Sequence, residues 1–380
     1  MPQCECAMQT SRYQIGNSGE DCLVFVDKFP VNREWDVKTN PSPRGEPRMK
    51  GISFAFLTVF LMVTGPQAAE VEVLKPKGNL EIKLGHPSTI SLYDMPAVLT
   101  HERLNKNGWN VKSVEFTRTD LNVQALAQGT IQFANSQVMD PVRAIQKGAK
   151  LSFIMENNGG EFLMIAKNEI KDCKDTDGKR FAIHGEAATT SLAAKLWLLN
   201  DCKIKPNIMV IPGGENRIIA LQNNQIDATL VQLGDWLNLD AQAPGRYHII
   251  KTGNLFNISG ASFWANADWL RKNEDDAVAY IAELLKTFRM VHANPKILEP
   301  VIAKHLPDMP KHIVAPAIKA YIEVVRAWPQ NGGDTSILDD TIKFFTENGE
   351  LKSAVNTKEI VDSKILADAL NKVGRVPGSR

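Results

Sequence analysis

Short apolar runs rich in β-branched residues alternate with amphipathic stretches of helical period from Leu80 onward. This alternation is typical of an α/β fold with parallel sheets. The pattern predicts strands at 80–85, 111–117, 131–135, 150–155, 162–167, 180–184, 208–211, 226–231, 247–252 and 261–265. It predicts helices at 95–107, 120–128, 141–147, 189–200 and 215–223, followed by a helical region from residue 268 onward.

An internal repeat links two passages about 95 positions apart, Thr117–Gln137 and Pro212–Gln232. In each passage a turn leads into an acidic helix start and an Ala-Leu core pair. A residue suited to a left-handed helix cap follows, Gly129 or Asn224, and then a strand that ends at Gln. Any two strand–helix–strand units share some likeness, which is the alternative explanation. The match over turn, helix, cap and strand favours two similar α/β lobes with a cleft between them.

The lobes are expected to be discontinuous in sequence. We expect residues 79–157 to form the first part of lobe 1, residues 158–255 to form lobe 2, and residues 256–380 to return to lobe 1 and add the C-terminal helices. The loops 156–161 and 253–260 would then carry the chain between the lobes. Their glycines and polar side chains suit a hinge, although both could be plain surface loops.

The strongest apolar run, residues 51–63, follows Arg48 and Lys50 and ends in small residues. This arrangement predicts a secretory signal peptide at residues 49–69, because the run is shorter than the roughly 20 residues that span a membrane. A retained anchor helix is the alternative. Residues 1–48 are polar and patternless, so we interpret them as a non-native or disordered extension; a genuine cytoplasmic extension is the other possibility.

Composition narrows the classes of partner. The 380 residues include 44 Lys plus Arg and 43 Asp plus Glu, a formal net charge of +1, which gives no basic surface for nucleic acid or for an anionic membrane. We therefore expect a small-molecule partner and a monomer. Beyond the predicted signal peptide only Cys173 and Cys202 remain, and export to an oxidising periplasm makes a disulfide between them an expectation. Two unpaired thiols are the alternative.

Catalytic signatures are absent from the sequence. There is no Gly-x-Ser-x-Gly elbow, phosphate-binding Gly-rich loop, dinucleotide fingerprint or His-Glu-x-x-His motif, and the seven histidines are scattered. We therefore expect no enzyme, no metal site and no cofactor. His305 and His312 are expected to be solvated, and His86 and His184 could face the cleft but are expected to make no contact with a solute.

Four motifs resemble one family. They are Ile82-Lys-Leu-Gly85, Ala125-Leu-Ala-Gln-Gly-Thr-Ile131, Asp177-Gly-Lys-Arg-Phe-Ala-Ile183 and Ala220-Leu-Gln-Asn-Asn-Gln-Ile-Asp-Ala228. Together they resemble the periplasmic solute-binding proteins of the nitrate, sulfonate and taurine class, which are grouped with pyrimidine-precursor-binding proteins similar to thiamine-synthesis enzymes. The resemblance implies a two-lobed type II periplasmic-binding fold with a central ligand cleft and hinge, and an ABC importer permease as partner. The chain departs from the family at Gln232–Trp236, where relatives often have a Pro-rich segment.

In open α/β sheets, ligands bind beyond the carboxyl ends of the strands, where helix N-termini present free N–H groups. The loops at those positions predict the following ligand-binding residues: Ser88, Thr89, Tyr93, Thr117, Arg118, Asn135, Ser136, Gln137, Glu186, Thr189, Thr190, Glu215, Gln232 and Trp236.

Within this set, Thr189 and Thr190 at a helix start are the strongest candidates, with helix capping as the alternative. Arg118 could pair with a carboxylate or sulfonate, and Trp236, Trp264, Tyr93 and Phe263 could form aromatic walls. A small organic anion is the leading solute, and a pyrimidine or other uncharged heterocycle is the second. An enzyme similar to the pyrimidine synthases is a further alternative, which the predicted export signal disfavours.

Overall fold

The computed structural model describes residues 73–76, 80–158, 160, 162–251, 258–353 and 355–380. The predicted extension 1–48, the predicted signal peptide 49–69 and most of the loop 253–260 lie outside the described residues. Within the described part, no helix is both long and apolar enough to cross a bilayer.

Ten strands form two five-stranded sheets. The first sheet has the order β2-β1-β3-β10-β4 and the second has the order β7-β6-β8-β5-β9. The strands are β1 (Glu81–His86), β2 (Asn110–Glu115), β3 (Phe133–Ser136), β4 (Leu151–Asn158), β5 (Phe162–Lys167), β6 (Arg180–Ile183), β7 (Asn207–Val210), β8 (Ala228–Gln232), β9 (Tyr247–Lys251) and β10 (Ala261–Asn266). The chain passes to the second sheet after Asn158 and returns to the first before Ala261.

The two sheets share one topology. In each, three parallel strands are followed by one antiparallel strand, β10 in the first sheet and β5 in the second. The sequence pattern predicted parallel sheets, which is right for β2-β1-β3 and β7-β6-β8 and wrong for the antiparallel pair. The α/β fold class is confirmed.

The described residues form the following helices: α1 (Met95–Lys106), α2 (Thr119–Ala127), α3 (Met139–Gln146), α4 (Thr189–Asn200), α5 (Gly214–Gln222), α6 (Leu233–Gln242), α7 (Ala267–Lys272), α8 (Glu274–Ala293), α9 (Glu299–His305), α10 (Lys311–Glu323), α11 (Ser336–Glu347), α12 (Thr357–Ile360) and α13 (Ser363–Val373). Short 3₁₀ helices occur at Leu92–Asp94, Lys174–Thr176 and Pro295–Leu298. Helix α6 occupies the segment that departs from the family pattern and was not predicted.

The predicted repeat corresponds to β2–α2–β3 in the first lobe and β7–α5–β8 in the second. Both predicted left-handed caps are present, with φ of +73° at Gly129 and +58° at Asn224. Gly and Asn adopt this conformation at little cost, so each helix ends at the same point relative to the strand that follows.

Hydrophobic clusters cover both faces of each sheet. Phe263 and Trp264, adjacent on β10, are fully buried on opposite faces of the first sheet, because successive strand residues point to opposite sides. Neither can wall a cleft, which corrects the expectation for both. Leu192 and Ala193 of α4, in the second lobe, are buried in a cluster of the first lobe and join the two hydrophobically.

A disulfide joins Cys173 to Cys202 in the second lobe, with 5.9 Å between the Cα atoms. Cys173 precedes β6 and Cys202 follows α4. The bond therefore ties the two ends of one strand–helix unit, 29 positions apart in sequence.

Candidate functional site

A cavity of about 380 Å³ is lined by loops of both lobes. The first lobe contributes Pro87–Leu92, Thr119 and Gln137, and the C-terminal helical region contributes His305–Met309. The second lobe contributes Phe162, His184, Thr190, Gly214, Glu215, Arg217, Gln232, Gly234, Asp235 and Asn238.

Helix beginnings dominate this lining. Thr119 begins α2, Thr190 belongs to the first turn of α4, Gly214 begins α5, and Gln232 is the N-cap of α6. Each helix beginning has backbone N–H groups without intrahelical acceptors and carries a partial positive charge. The cavity has the size and character of a small-molecule site.

Six predicted residues line the cavity: Ser88, Thr89, Gln137, Thr190, Glu215 and Gln232. Two pairs among them also join the lobes. The Thr89 hydroxyl donates to Glu215 Oε1 at 3.4 Å, and the Thr190 backbone N–H donates to Gln137 Oε1 at 3.4 Å. These are long hydrogen bonds, which a bound molecule could replace at little cost.

Tyr93 and Asn135 lie instead in a buried polar network of the first lobe. The Asn135 side-chain amide donates to Tyr93 Oη and to Asp94 Oδ1, and Asp94 Oδ1 also lies 2.8 Å from His86 Nδ1. Ser136, the next residue on β3, is buried as well. The carboxyl ends of β1 and β3 therefore keep these polar groups in the lobe interior and away from the cavity surface.

Thr189 lies beside the cavity but does not line it. Its hydroxyl oxygen accepts a hydrogen bond from the backbone N–H of Met139 at 3.1 Å, and its side chain is fully buried. Met139 is the first residue of α3 in the other lobe, so a threonine of one lobe satisfies an orphan N–H in the other. Thr189 is therefore a helix cap, the alternative that the sequence offered, but it caps a helix of the other lobe and not its own helix α4.

Four further predicted residues lie away from the cavity for local reasons. Arg118 is exposed and forms a two-pronged salt bridge with Asp120, Glu186 is exposed and pairs with Lys195 at 3.0 Å, Thr117 is exposed, and Trp236 packs against the second-lobe core. Arg118 is therefore not the cationic group of this cavity.

Sequence reasoning missed Arg217, a buried guanidinium in the cavity lining. Its Nε donates to Leu230 O at 3.0 Å and its Nη1 to Ile211 O at 2.9 Å. The repeat could have revealed it, because Arg217 falls 95 positions after Asn122. The Asn122 amide donates to Asn135 O at 2.9 Å, and Asn135 is the counterpart of Leu230 at the same offset. Both lobes thus use one buried side chain to fix a helix to its following strand.

The family model NMT1/THI5 like matches residues 104–297, just over half of the chain. The chain belongs to this NMT1/THI5-like family. No curated protein matches the chain.

Solved structures share the fold. The nitrate-binding protein NrtA from Synechocystis PCC 6803 is 15% identical with a TM-score of 0.62, covering 79% of this chain and 90% of its own. The alkanesulfonate-binding protein SsuA from Xanthomonas axonopodis pv. citri, bound to MOPS, is 15% identical with a TM-score of 0.59, covering 76% and 99%. An ABC-type import ligand-binding component from Staphylococcus aureus, with zinc bound, is 16% identical with a TM-score of 0.61, covering 76% and 98%. The predicted two-lobed periplasmic-binding fold is confirmed.

In this family member the cavity carries charge of both signs. Burial lowers the pKa of Arg217 to about 10, against the opposing effect of Asp235 and Glu215. Burial raises the pKa of Asp235 to about 6, with Arg217 opposing the rise and Glu215 adding to it. The cavity therefore lacks the simple positive field expected of a site for an isolated anion.

The two sides of the cavity meet closely at Gly234. Its N–H donates to Tyr321 Oη at 3.2 Å, and a Cβ atom there would lie 3.2 Å from Leu92 Cβ. Any larger residue would push α6 away from the first lobe.

The C-terminal region also contributes to the site. His305, expected to be solvated, lines the cavity, and its Nε2 lies 3.2 Å from Glu102 Oε1. In the part of the chain that the structure describes, no group of three or more His, Cys, Asp or Glu residues is placed to hold a metal ion.

Proposed function

We propose that this protein is an extracytoplasmic solute receptor that closes its two lobes around a small organic solute and delivers it to the permease of an ABC importer. The observation that carries the proposal is the cavity of about 380 Å³ lined by both lobes and by four helix beginnings. Similar structures support it, since one is described as the ligand-binding component of an ABC-type import system and two others as alkanesulfonate- and nitrate-binding proteins. The role is binding and not catalysis.

Two features support a periplasmic location. The Cys173–Cys202 disulfide is stable in oxidising compartments, and the sequence places a signal-peptide-like run before the described residues. We propose that it acts as a monomer, because each chain contains both lobes of the cavity.

Two solute classes remain candidates. A sulfonate or carboxylate would bind N–H groups of the helix beginnings, replacing the long Thr190–Gln137 hydrogen bond, together with the hydroxyl of Thr190. A pyrimidine-type heterocycle is favoured by the carboxylates of Glu215 and Asp235, because they accept hydrogen bonds from ring or amino N–H groups and repel anions. The aromatic ring of Phe162 could stack on such a heterocycle.

The test is a thermal-shift screen of the purified protein with MOPS, benzoate and 4-aminopyrimidine, followed by calorimetric titration of the compounds that bind. A ligand at 100 times its Kd stabilises the folded state by about 2.7 kcal/mol, which raises Tm by several degrees. Thr190→Val should weaken binding of the best compound about tenfold, because one hydrogen bond to it is lost.

Thr117→Val is the matched control, because Thr117 is exposed and outside the cavity. It should leave the affinity unchanged. Equal affinities of wild type and Thr190→Val would remove Thr190 from the site, and no thermal shift with any of the three compounds would contradict both solute classes.

A further inference from the structure

His184 faces the cavity from the end of β6 with one ring nitrogen already engaged. Its Nδ1 lies 3.3 Å from the backbone N of Gly213 and 3.5 Å from Nη1 of Arg217. A backbone amide and a guanidinium can only donate hydrogen bonds. Nδ1 must therefore be the acceptor, and in the neutral ring the proton must be on Nε2.

The neighbours that impose this tautomer are themselves fixed. Arg217 is 4% exposed and is anchored to the carbonyls of Ile211 and Leu230 at 2.9 and 3.0 Å. Gly213 has a φ of +86°, in the left-handed region, and this conformation aims its N–H while it serves as the N-cap of α5. Neither partner can turn away from His184 without breaking these interactions.

The opposite ring nitrogen is available to a bound molecule. Among the described residues Nε2 of His184 has no hydrogen-bond partner, yet it is not one of the buried unsatisfied atoms, and the ring lines the cavity. The Nε2–H group therefore points to a space that a solute can enter.

We propose that His184 donates a hydrogen bond to the solute through Nε2–H, a tautomer imposed by Arg217 and Gly213, so that the solute must place a hydrogen-bond acceptor against it. This inference rests on the proposed solute-binding role. It adds the protein atom, Nε2 of His184, that donates a hydrogen bond to an acceptor on the solute. Such an acceptor is a carbonyl oxygen, a ring nitrogen or an oxyanion oxygen.

The surroundings keep the ring neutral. Burial, and then the charge of Arg217, lower the pKa of His184 to about 4. Two charged groups at the N-terminus of α2 also act on it: Asp120, in the first turn, raises the pKa, and Arg118, the N-cap residue, lowers it. They form a salt bridge with each other at 2.6 Å, so their effects on the ring largely cancel. The donor should accordingly persist through the physiological pH range.

The first test is a long-range ¹H–¹⁵N NMR spectrum of the ¹⁵N-histidine-labelled full chain without any added compound, recorded from pH 8 to pH 5. The signals of His184 are assigned by their loss in His184→Asn. The expected result is the Nε2–H tautomer at every pH, with no titration. An Nδ1–H tautomer, or titration near the ordinary pKa of about 6.5, would overturn the proposal.

Arg217→Met tests the positioning role in the same spectrum. Loss of the guanidinium should raise the pKa of His184 and let the second tautomer appear, whereas a merely structural Arg217 would leave both unchanged. Circular dichroism checks that this variant folds. The wild-type spectrum remains decisive if it does not.

A binding arm uses two variants that differ in where they place an amide. The side-chain nitrogen of Gln reaches about as far as Nε2, whereas that of Asn reaches about as far as Nδ1. In calorimetric titrations with MOPS, benzoate and 4-aminopyrimidine, His184→Gln should stay within about threefold of wild type. His184→Asn should lose about tenfold, the loss expected for one hydrogen bond.

Equal affinities of the two variants for a compound that binds the wild type would contradict donation to the solute. If none of the three compounds binds, the solute classes proposed above are wrong. The tautomer spectrum, which needs no compound, then decides on His184 alone, so the two failures can be told apart.

Discussion

Thr189 and Thr190 are neighbours at the start of α4 but have different roles. Thr190 lines the cavity and is 8% exposed, whereas Thr189 is fully buried and caps α3 of the other lobe. Both have the same side chain and the same local sequence. Successive helix residues point in directions that differ by about 100°. As a result, Thr189 meets α3 of the other lobe, whereas Thr190 meets the cavity.

The two threonines should therefore respond differently to the same isosteric change. Thr189→Val leaves the Met139 N–H without an acceptor and should lower the free energy of unfolding by about 1–3 kcal/mol. Thr190→Val should change it by less than about 1 kcal/mol, because Thr190 lines the cavity and its backbone N–H, which the change leaves intact, makes the hydrogen bond to Gln137. Urea denaturation of both variants measures this, and equal losses would contradict the assigned roles.

At the element scale, the sequence predicted all ten strands of the described residues and the helices up to α5, because hydrophobic period and helix caps are local signals. The repeat succeeded for the same reason, down to the caps at Gly129 and Asn224. The antiparallel β5 and β10 could not be read locally, since their direction depends on pairing with distant strands. Helix α6 was not predicted because the sequence at its start, Gln232–Trp236, has no clear helical period.

The site was predictable only in part. Loops at the strand ends were correctly expected to gather, and Ser88, Thr89, Gln137, Thr190, Glu215 and Gln232 line the cavity. Arg118 was a misleading candidate because its ion pair with Asp120, two residues away, satisfies it. The repeat aligns Arg217 with Asn122 and could have drawn attention to it. Its role depends on its burial, which the repeat alone does not predict.

The disulfide should stabilise its own strand–helix unit. Closing a loop of about 30 residues contributes roughly 3–4 kcal/mol in the chain-entropy account. The double variant Cys173→Ser/Cys202→Ser should lose about that much free energy of unfolding in urea and should be insensitive to dithiothreitol.

Wild type treated with dithiothreitol should unfold at the same urea concentration as the double variant. If the reductant has no effect on the wild type while the double variant is destabilised, the loss comes from side-chain packing and not from the covalent bond.

At the scale of the whole molecule, contacts between the lobes fall into two groups. Beside the crossing segments, Leu192 and Ala193 are buried in the first-lobe cluster, and Thr190 and Ala193 line one small pocket together with Gly160 and Gly260. Around the cavity, the Thr89–Glu215 and Gly234–Tyr321 hydrogen bonds join the lobes, and Leu233 and Leu237 of α6 pack against the first-lobe cluster. A hinge that opens at the crossings would separate these cavity-side contacts and leave the hydrophobic core of each lobe intact.

Closure links this arrangement to affinity. A solute that contacts both walls binds the closed form better than the open form, and it shifts the population only by that difference. The residues on the two walls, from Ser88 to Gln232, provide such two-sided contacts.

Closure of the lobes on a solute can be measured by small-angle X-ray scattering with and without a saturating amount of the compound that gives the largest thermal shift. The radius of gyration should decrease on binding while the molecular mass stays that of a monomer, because two lobes close on one solute. A scattering curve unchanged by a compound that demonstrably occupies the cavity would contradict closure.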